Sequence, residues 1–498
     1  MLLFLINILM ALYGLAIVFV LLHSLFDAHL ILHYLRANTN KKKPAYSNKF
    51  QPYVTIQLPV FNEVHVINRL IDSIAAIEYP SDKLEIQVLD DSTDETSQLI
   101  AAKVKTLQKK NINIRHIKRT NRHGFKAGAL KYGLSLAKGS FIAVFDADFI
   151  PSKDFLNKTI FYFEDAAIGM VQTKWGHINK NTSLLANLQA IALDGHFSIE
   201  QKGRNSAGYF INFNGTAGVW RKQAILDAGN WQADTLTEDL DLSYRAQMKG
   251  WKFKYLEDFI TPAELPPIIS ALKSQQFRWT KGGAETARKN LKKLLQSSLP
   301  LSIKFHGTFH LIYSFGFISI IIYAVLSVPL LFVKKYYPDF NLIFDLSNLV
   351  AISFLIYILH YSISYFKNTK GSIISKSIGF IFYFPIFVSL FIGLSLNNAV
   401  GIIQGYIGIK SGFVRTPKFN SINSKDKPLK SSYANTKFNW VNIIEGILVI
   451  YFLLGIIQAV IFKNYGSVPL LLMAFLGFLL VTYFSIKENT TKLLPPIV

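Results

Sequence analysis

Phe141-Ile142-Ala143-Val144-Phe145-Asp146-Ala147-Asp148 decides how this chain is read: five apolar residues give way at once to two carboxylates. A run this short and this rich in aromatic and β-branched side chains predicts a strand buried on both faces, the kind found in sheets covered by helices. Working outward, Val54 to Val60, Glu85 to Leu89 and Ile112 to Ile117 repeat the pattern. Between them Val66, Ile67, Leu70, Ile74 and Ile77 recur at helical spacing until Pro80, and further helical stretches fall near Ser97 to Gln108 and Lys126 to Ala137. Strands alternating with helices predict an α/β domain between Gln51 and about Leu301. In open sheets of this kind ligands bind beyond the carboxyl ends of the strands, so the residues there carry the chemistry.

Acidic residues gather at those ends. Asp90-Asp91-Ser92-Thr93-Asp94 follows the second strand, and Asp146 and Asp148 follow the fourth. In extended chain residues i and i+2 share a face, so Asp146 and Asp148 can converge on one hard cation, Mg2+ or Mn2+, leaving coordination sites open for water and substrate phosphate. The plain alternative is a pair of turn carboxylates capping a helix after Pro151. Thr237-Glu238-Asp239-Leu240-Asp241 opens a helical pattern that ends at Gly250. Ordinary helix capping accounts for it, and so does a general base at Asp239 held ionised by the helix amino end. Farther on, Gln275-Gln276-Phe277-Arg278-Trp279 combines a guanidinium suited to phosphate with a flat ring suited to a sugar. An interfacial helix with an aromatic belt residue would look the same.

The rest of the chain meets lipid. Of 498 residues, 51% are hydrophobic and only 17% charged, which excludes a disordered chain and an ordinary soluble enzyme. Met1 to Phe26 lacks any Asp, Glu, Lys or Arg and reads as a membrane anchor, without the basic start and small-residue cleavage site of a signal peptide. Uncharged runs return at Phe305 to Val333, Leu346 to Phe366, Ser377 to Ile409, Gly446 to Phe462 and Asn464 to Ile486. Three parts follow: an anchor at 1–35, a polar domain at 36–304 ending in interfacial helices, and a membrane domain at 305–498 with a loop at 410–439. Arg36 with Lys41, Lys42 and Lys43 places the polar domain in the cytoplasm by the positive-inside rule. Lys367, Lys370 and Lys376 and the segment Lys410 to Lys437 are basic too, so both ends of Ser377 to Ile409 belong on that side. With Pro385 and Gly393 inside it, that run is expected to be a hairpin or re-entrant pair rather than one helix, and the crossings number six or seven. The formal charge of +22 suits anionic headgroups and a diphosphate. The basic residues lie largely at membrane boundaries and no nucleic-acid module is recognised, so no nucleic-acid partner is expected. Without any cysteine, disulfides, thiolate nucleophiles and Cys-ligated metals are excluded.

Taken in order, Asp90-Asp91-Ser92, Lys126-Ala127-Gly128, Asp146-Ala147-Asp148, Asn214-Gly215-Thr216, Thr237-Glu238-Asp239 and Gln275-x-x-Arg278-Trp279 resemble the motif series of membrane-bound family 2 glycosyltransferases. The chain is similar to bacterial cellulose synthase catalytic subunits and more so to plant cellulose synthase-like mannan and glucan synthases, through runs such as Phe213 to Arg221 and Leu193-Asp194-Gly195-His196-Phe197. The resemblance implies a Rossmann-like α/β GT-A catalytic domain in the cytoplasm beside a multi-spanning α-helical membrane domain. It also implies a nucleotide-sugar donor, a divalent cation and inversion at the anomeric carbon.

Position by position, it implies that Asp90 and Asp91 hold the nucleotide base, that Lys126 lies near the donor, and that Asp146 and Asp148 place donor and metal. Asp239 would be the base, Gln275 and Arg278 would hold diphosphate and acceptor, Trp279 would stack on the acceptor sugar, and Asn214, Gly215 and Thr216 would form the acceptor loop. Phe413, Thr416 and Lys418 match the gating loop of cellulose synthases, although the residues between them differ and Pro417 stiffens the segment. The implied activity is extension of a β-linked glycan from GDP-mannose or UDP-glucose with export through the inner membrane. Two other readings stand beside it. One is single sugar addition to a membrane lipid, as by ceramide glucosyltransferases. The other is a transporter with a vestigial nucleotide domain, against which the membrane helices carry few charges.

Overall fold

β1 (Val54–Val60) buries every side chain but that of Pro59, because helices cover both faces of the sheet in which it lies. The computed structural model describes residues 1–39, 50–340, 343–345, 348–412, 415–416, 418, 420 and 439–493. Six further strands, β2 (Leu84–Asp90), β3 (Ile114–Lys118), β4 (Phe141–Val144), β5 (Ile168–His177), β6 (Gly218–Arg221) and β7 (Lys252–Ala263), complete one mixed sheet in the order 3-2-1-4-6-5-7. β3, β2, β1 and β4 run parallel, β6 is antiparallel to both neighbours, and β7 is parallel to β5. One face packs Ile56, Leu58, Ile86 and Val88 against the helices Ile67–Ala75 and Thr96–Gln108; the other packs Ile142 and Val144 against Phe125–Leu136, Trp220 and Trp231. This is the expected α/β layering. The four parallel strands begin or end within two residues of their expected bounds, and the reversed β6 turns the chain back across the sheet, bringing the loop before it to the same edge as the ends of β1, β2 and β4.

Among the described residues six helices are long and apolar enough to cross a bilayer. The first, Leu2–Thr39, continues past the apolar stretch into the polar domain, where Leu30 meets Gly203 and Tyr34 hydrogen-bonds Glu257. The run Phe305 to Val333 divides at residues 313 and 314 into Leu301–Ile312 and Phe315–Tyr336.

The expected hairpin at Ser377 to Ile409 is instead one unbroken helix, Ile373–Ile407, with Pro385 inside it. Proline is tolerated at membrane depth because neighbouring helices, Ser/Thr side chains and local adjustments of the helix re-satisfy the backbone carbonyl it frees. Gly393 is used for a close crossing rather than a turn: a Cβ there would lie 2.3 Å from the carbonyl oxygen of Gly477 on the last helix, Val468–Leu493. The helix starts just after Asn368, which donates to Ser198 of the polar domain at 3.1 Å, and its far end packs Gly401 and Gly405 on Phe277, Thr280 and Lys281. Lys41, Lys42, Lys43, Phe413, Pro417 and the stretch 421–437 lie outside the described residues.

Candidate active site

Four parts of the fold meet at the carboxyl edge of the parallel strands. β1 runs into Phe61, Asn62 and Glu63; β2 ends at Asp90, paired in register with Val60; β4 leads into Asp146 and Asp148. The loop before β6, the first turn of the helix Glu238–Met248, one face of the helix Ile269–Gln296, and Arg415, Thr416 and Lys418 close the cleft. Asp91, Asp148, Asp239 and Arg278, spread over almost two hundred residues of sequence, line this one cavity together with Lys126, Asp146, Gln275 and Trp279.

Each carboxylate has its own partner. Lys126, in the first turn of Phe125–Leu136, donates to Asp146 at 2.6 Å and to the Gly215 carbonyl at 3.0 Å. Lys418 donates to Asp148 at 2.7 Å. Asp91 is held by Arg119, whose Nε donates at 2.9 Å, while the guanidinium of Arg122 lies 3.3 Å above the ring of Phe61. Arg415 forks onto Glu63 with two bonds of 2.9 Å, and Arg278 donates to Thr416 at 2.7 Å. Neither Asp146 nor Asp148 caps the short helix Phe155–Thr159 that follows Pro151, so the capping alternative does not account for them. Thr237 precedes Glu238–Met248 without a side-chain capping bond and pairs with Thr286 instead.

The electrostatics separate these acids. Burial pushes the Asp239 carboxyl up and the neighbouring Glu238 pushes it further, to about 7, against the opposing pull of Lys126. Glu238 is raised as well, chiefly by burial. The expected base is thus poised near neutrality rather than held fully ionised by the helix end, the range in which a general base works best. Glu63 is also lifted to about 7, by burial that Arg415 only partly offsets. Burial lowers Arg278 to about 10, with Glu238 and Asp146 opposing.

The loop before β6 depends on a glycine. Gly215 has φ +80°, and a Cβ there would lie 2.9 Å from Asp239 Oδ2 and 3.3 Å from Lys126 Nζ, so only glycine lets the loop pass so near Asp239. Asn214 donates its backbone N–H to Gln172 at 3.1 Å and shares a 3.2 Å contact with His196. Thr216 is fully buried and accepts from the Asp146 N–H at 2.8 Å, so it supports the loop from behind rather than lining the cavity.

Asp90 also stands apart. Its carboxylate accepts from the Ser92 N–H and from His116 at 2.8 Å each and from Ser97, bonds that hold it at about 2 in spite of burial. It braces the turn that presents Asp91. Sequence reasoning missed Glu63, Arg122, Glu238 and Arg415 as cavity residues. Glu63 and Arg122 sit just beyond strand ends, the place already marked as informative, whereas Arg415 left no local signal.

Among the described residues no group of three or more His, Asp or Glu side chains is arranged to hold a metal. Asp146, 33% exposed at its side chain, and Asp148 nevertheless offer hard oxygen donors at the cavity wall, the donor chemistry that Mg2+ or Mn2+ takes when water and phosphate complete the shell.

Comparison with known proteins agrees with the geometry. Residues 52–282 match the family described as "Glycosyltransferase like family 2". The chain is 42% identical over 276 residues to "Glucomannan 4-beta-mannosyltransferase 2" of Arabidopsis thaliana, an alignment covering 54% of this chain and 51% of that one. It is 40% identical over 281 residues to "Glucomannan 4-beta-mannosyltransferase 1" of Oryza sativa subsp. japonica, covering 55% and 53%. The chain thus spans about half the length of the curated relatives it matches. Among solved structures it is similar in fold to "Mannosyltransferase PcManGT from Pyrobaculum calidifontis in complex with GDP-Man and Mn2+", with a TM-score of 0.55 at 16% identity over 81% of this chain and 100% of that one.

Proposed function

We propose that this membrane protein, whose residues 52–282 match the model of a family 2 glycosyltransferase and which is similar to glucomannan mannosyltransferases, transfers mannose from GDP-mannose to a growing β-linked glycan, with inversion, on the cytoplasmic side of the inner membrane. The observation that carries the reading is the meeting of Asp91, Asp146, Asp148, Asp239 and Arg278 around one cavity. The choice of mannose over glucose rests on the likeness to glucomannan mannosyltransferases.

In the proposed reaction the acceptor sugar stacks against Trp279, and its hydroxyl gives its proton to the Asp239 carboxylate as the hydroxyl oxygen attacks the anomeric carbon from the face opposite the diphosphate. The C1–O bond to the diphosphate breaks, and its electron pair leaves with the nucleotide. Arg278 and Lys126 face that charge, so no protein acid is needed on the leaving side. General-base assistance of this kind is worth roughly 10²- to 10⁴-fold. Asp146 and Asp148 would hold Mg2+ or Mn2+, which when bound supplies further positive charge to the diphosphate. Asp91 and the Arg122–Phe61 stack would form the wall for the base.

Export is proposed to follow the membrane helices. Buried polar groups between them support this: His23 bonds Tyr357 at 2.7 Å, and Asp27 lies against His23 and His360 beside Glu200 and Arg204. The test is a donor screen on the purified full chain in nanodiscs, reading released nucleotide and product length. GDP release with a ladder of β-mannosidase-sensitive oligosaccharides is the expected result. Turnover of UDP-glucose alone would overturn the donor, and an organic-extractable product bearing one sugar would overturn chain extension.

A further inference from the structure

We propose that Lys418 sets the affinity of this site for its divalent cation, because its ammonium occupies the Asp148 carboxylate that the cation requires. The inference rests on the reading above that Asp146 and Asp148 form the cation site.

Lys418 Nζ stands 2.7 Å from Asp148 Oδ2, and the two side chains are only 15% and 5% exposed. Mg2+ takes carboxylate oxygens at roughly 2.0–2.1 Å. A cation at that distance from Asp148 would meet the ammonium with like charge at close range in a poorly hydrated place, so the two cannot share the oxygen. Asp146 differs, since it is a third exposed and its partner Lys126 is also tied to the Gly215 carbonyl. Lys418 is not a loose surface lysine. Three residues earlier Arg415 forks onto Glu63, and two residues earlier Thr416 accepts from Arg278, so these described neighbours of Lys418 are each bonded to the cleft.

Two consequences follow. Without donor, the cation has to expel Lys418 and binds weakly. With donor, the expelled ammonium gains the diphosphate as a new partner, so donor and cation strengthen each other's binding by an equal factor.

The experiment measures Mn2+ alone, by the electron paramagnetic resonance of the free ion, against the full chain in nanodiscs without nucleotide. Lys418→Met keeps the length and removes the charge, and it should tighten Mn2+ binding by about tenfold, the low end of the roughly 10- to 1,000-fold by which a nearby charge alters occupancy of a carboxylate. Asp148→Asn should abolish the binding in both backgrounds. Lys410→Met, which removes an equal charge at an exposed position, should leave it unchanged. An unaltered or weakened Kd in Lys418→Met, with binding still lost in Asp148→Asn, overturns the role of Lys418 while leaving the cation site standing. Equal tightening in Lys410→Met overturns it as a mere effect of net charge. Mn2+ binding indifferent to Asp148→Asn overturns both the inference and the site on which it rests.

Discussion

Replacing Gly215 with alanine tests the tightest point of the site. The residue holds φ +80°, where an L side chain costs about 1–2 kcal/mol. The added Cβ would stand 2.9 Å from Asp239 Oδ2, where ordinary contact begins at 3.4 Å. The base must therefore withdraw by about 0.5 Å; since misplacement by about 1 Å can cost about 10²-fold, a loss of about tenfold in kcat is expected. Asp91 and Phe61, proposed to receive the donor's nucleotide end, lie on other elements, so donor affinity should change less than about twofold. Nucleotide release at saturating donor gives kcat, calorimetric titration gives donor Kd, and a thermal melt should show a loss of only a few degrees. A folded Gly215→Ala protein with undiminished kcat would refute the placement of Asp239 beside this loop.

Two more perturbations probe the charges around the site and beneath it. As the proposed base, Asp239 has to be deprotonated, so the acid limb of kcat/KM should fall near pH 7; burial is the larger cause of that value and Glu238 the second. Glu238→Gln removes the like charge, lowers the Asp239 value and should move the limb to lower pH by about one unit; an unmoved limb, whatever the loss of rate, would deny the coupling. Under the helix that carries Gln275, Arg278 and Trp279, Lys273 donates at 2.7 Å to Glu445, which is fully buried. Lys273→Met alone should destabilise the protein by about 3–5 kcal/mol by leaving that carboxylate unpaired, and Lys273→Met with Glu445→Leu should recover most of it. Equal melts for the single and double variants would show the pair to be solvated.

Much of the polar domain is legible because its signals are local. β1 and β4 are continuous apolar runs, and Ile67, Leu70, Ile71 and Ile74 mark the buried stripe of their helix at a spacing no strand would need. The ends of those strands then mark the cavity without any further information. Other features depend on partners far away in sequence. Arg415 pairs with Glu63 across 352 residues, and nothing near either one announces the other. Asp90 and Asp91 look equivalent in the chain, but strand direction sends the first toward His116 and Ser97 and the second into the cleft. In the membrane domain the basic flanks of Ser377 to Ile409, with Pro385 and Gly393 between them, read as a reversal, while in an apolar bundle proline is accommodated in one helix and glycine permits the contact with Gly477.

The central claim is that Asp239 takes the acceptor proton in a cleft whose other groups hold the donor, and Asp239→Asn tests it most directly. The amide preserves size and removes only the basic oxygen pair. Measured side by side with wild type, GDP-mannose affinity should stay within about twofold while kcat falls by roughly 10²- to 10⁴-fold. An Asp239→Asn protein that turns over at the wild-type rate would contradict the account.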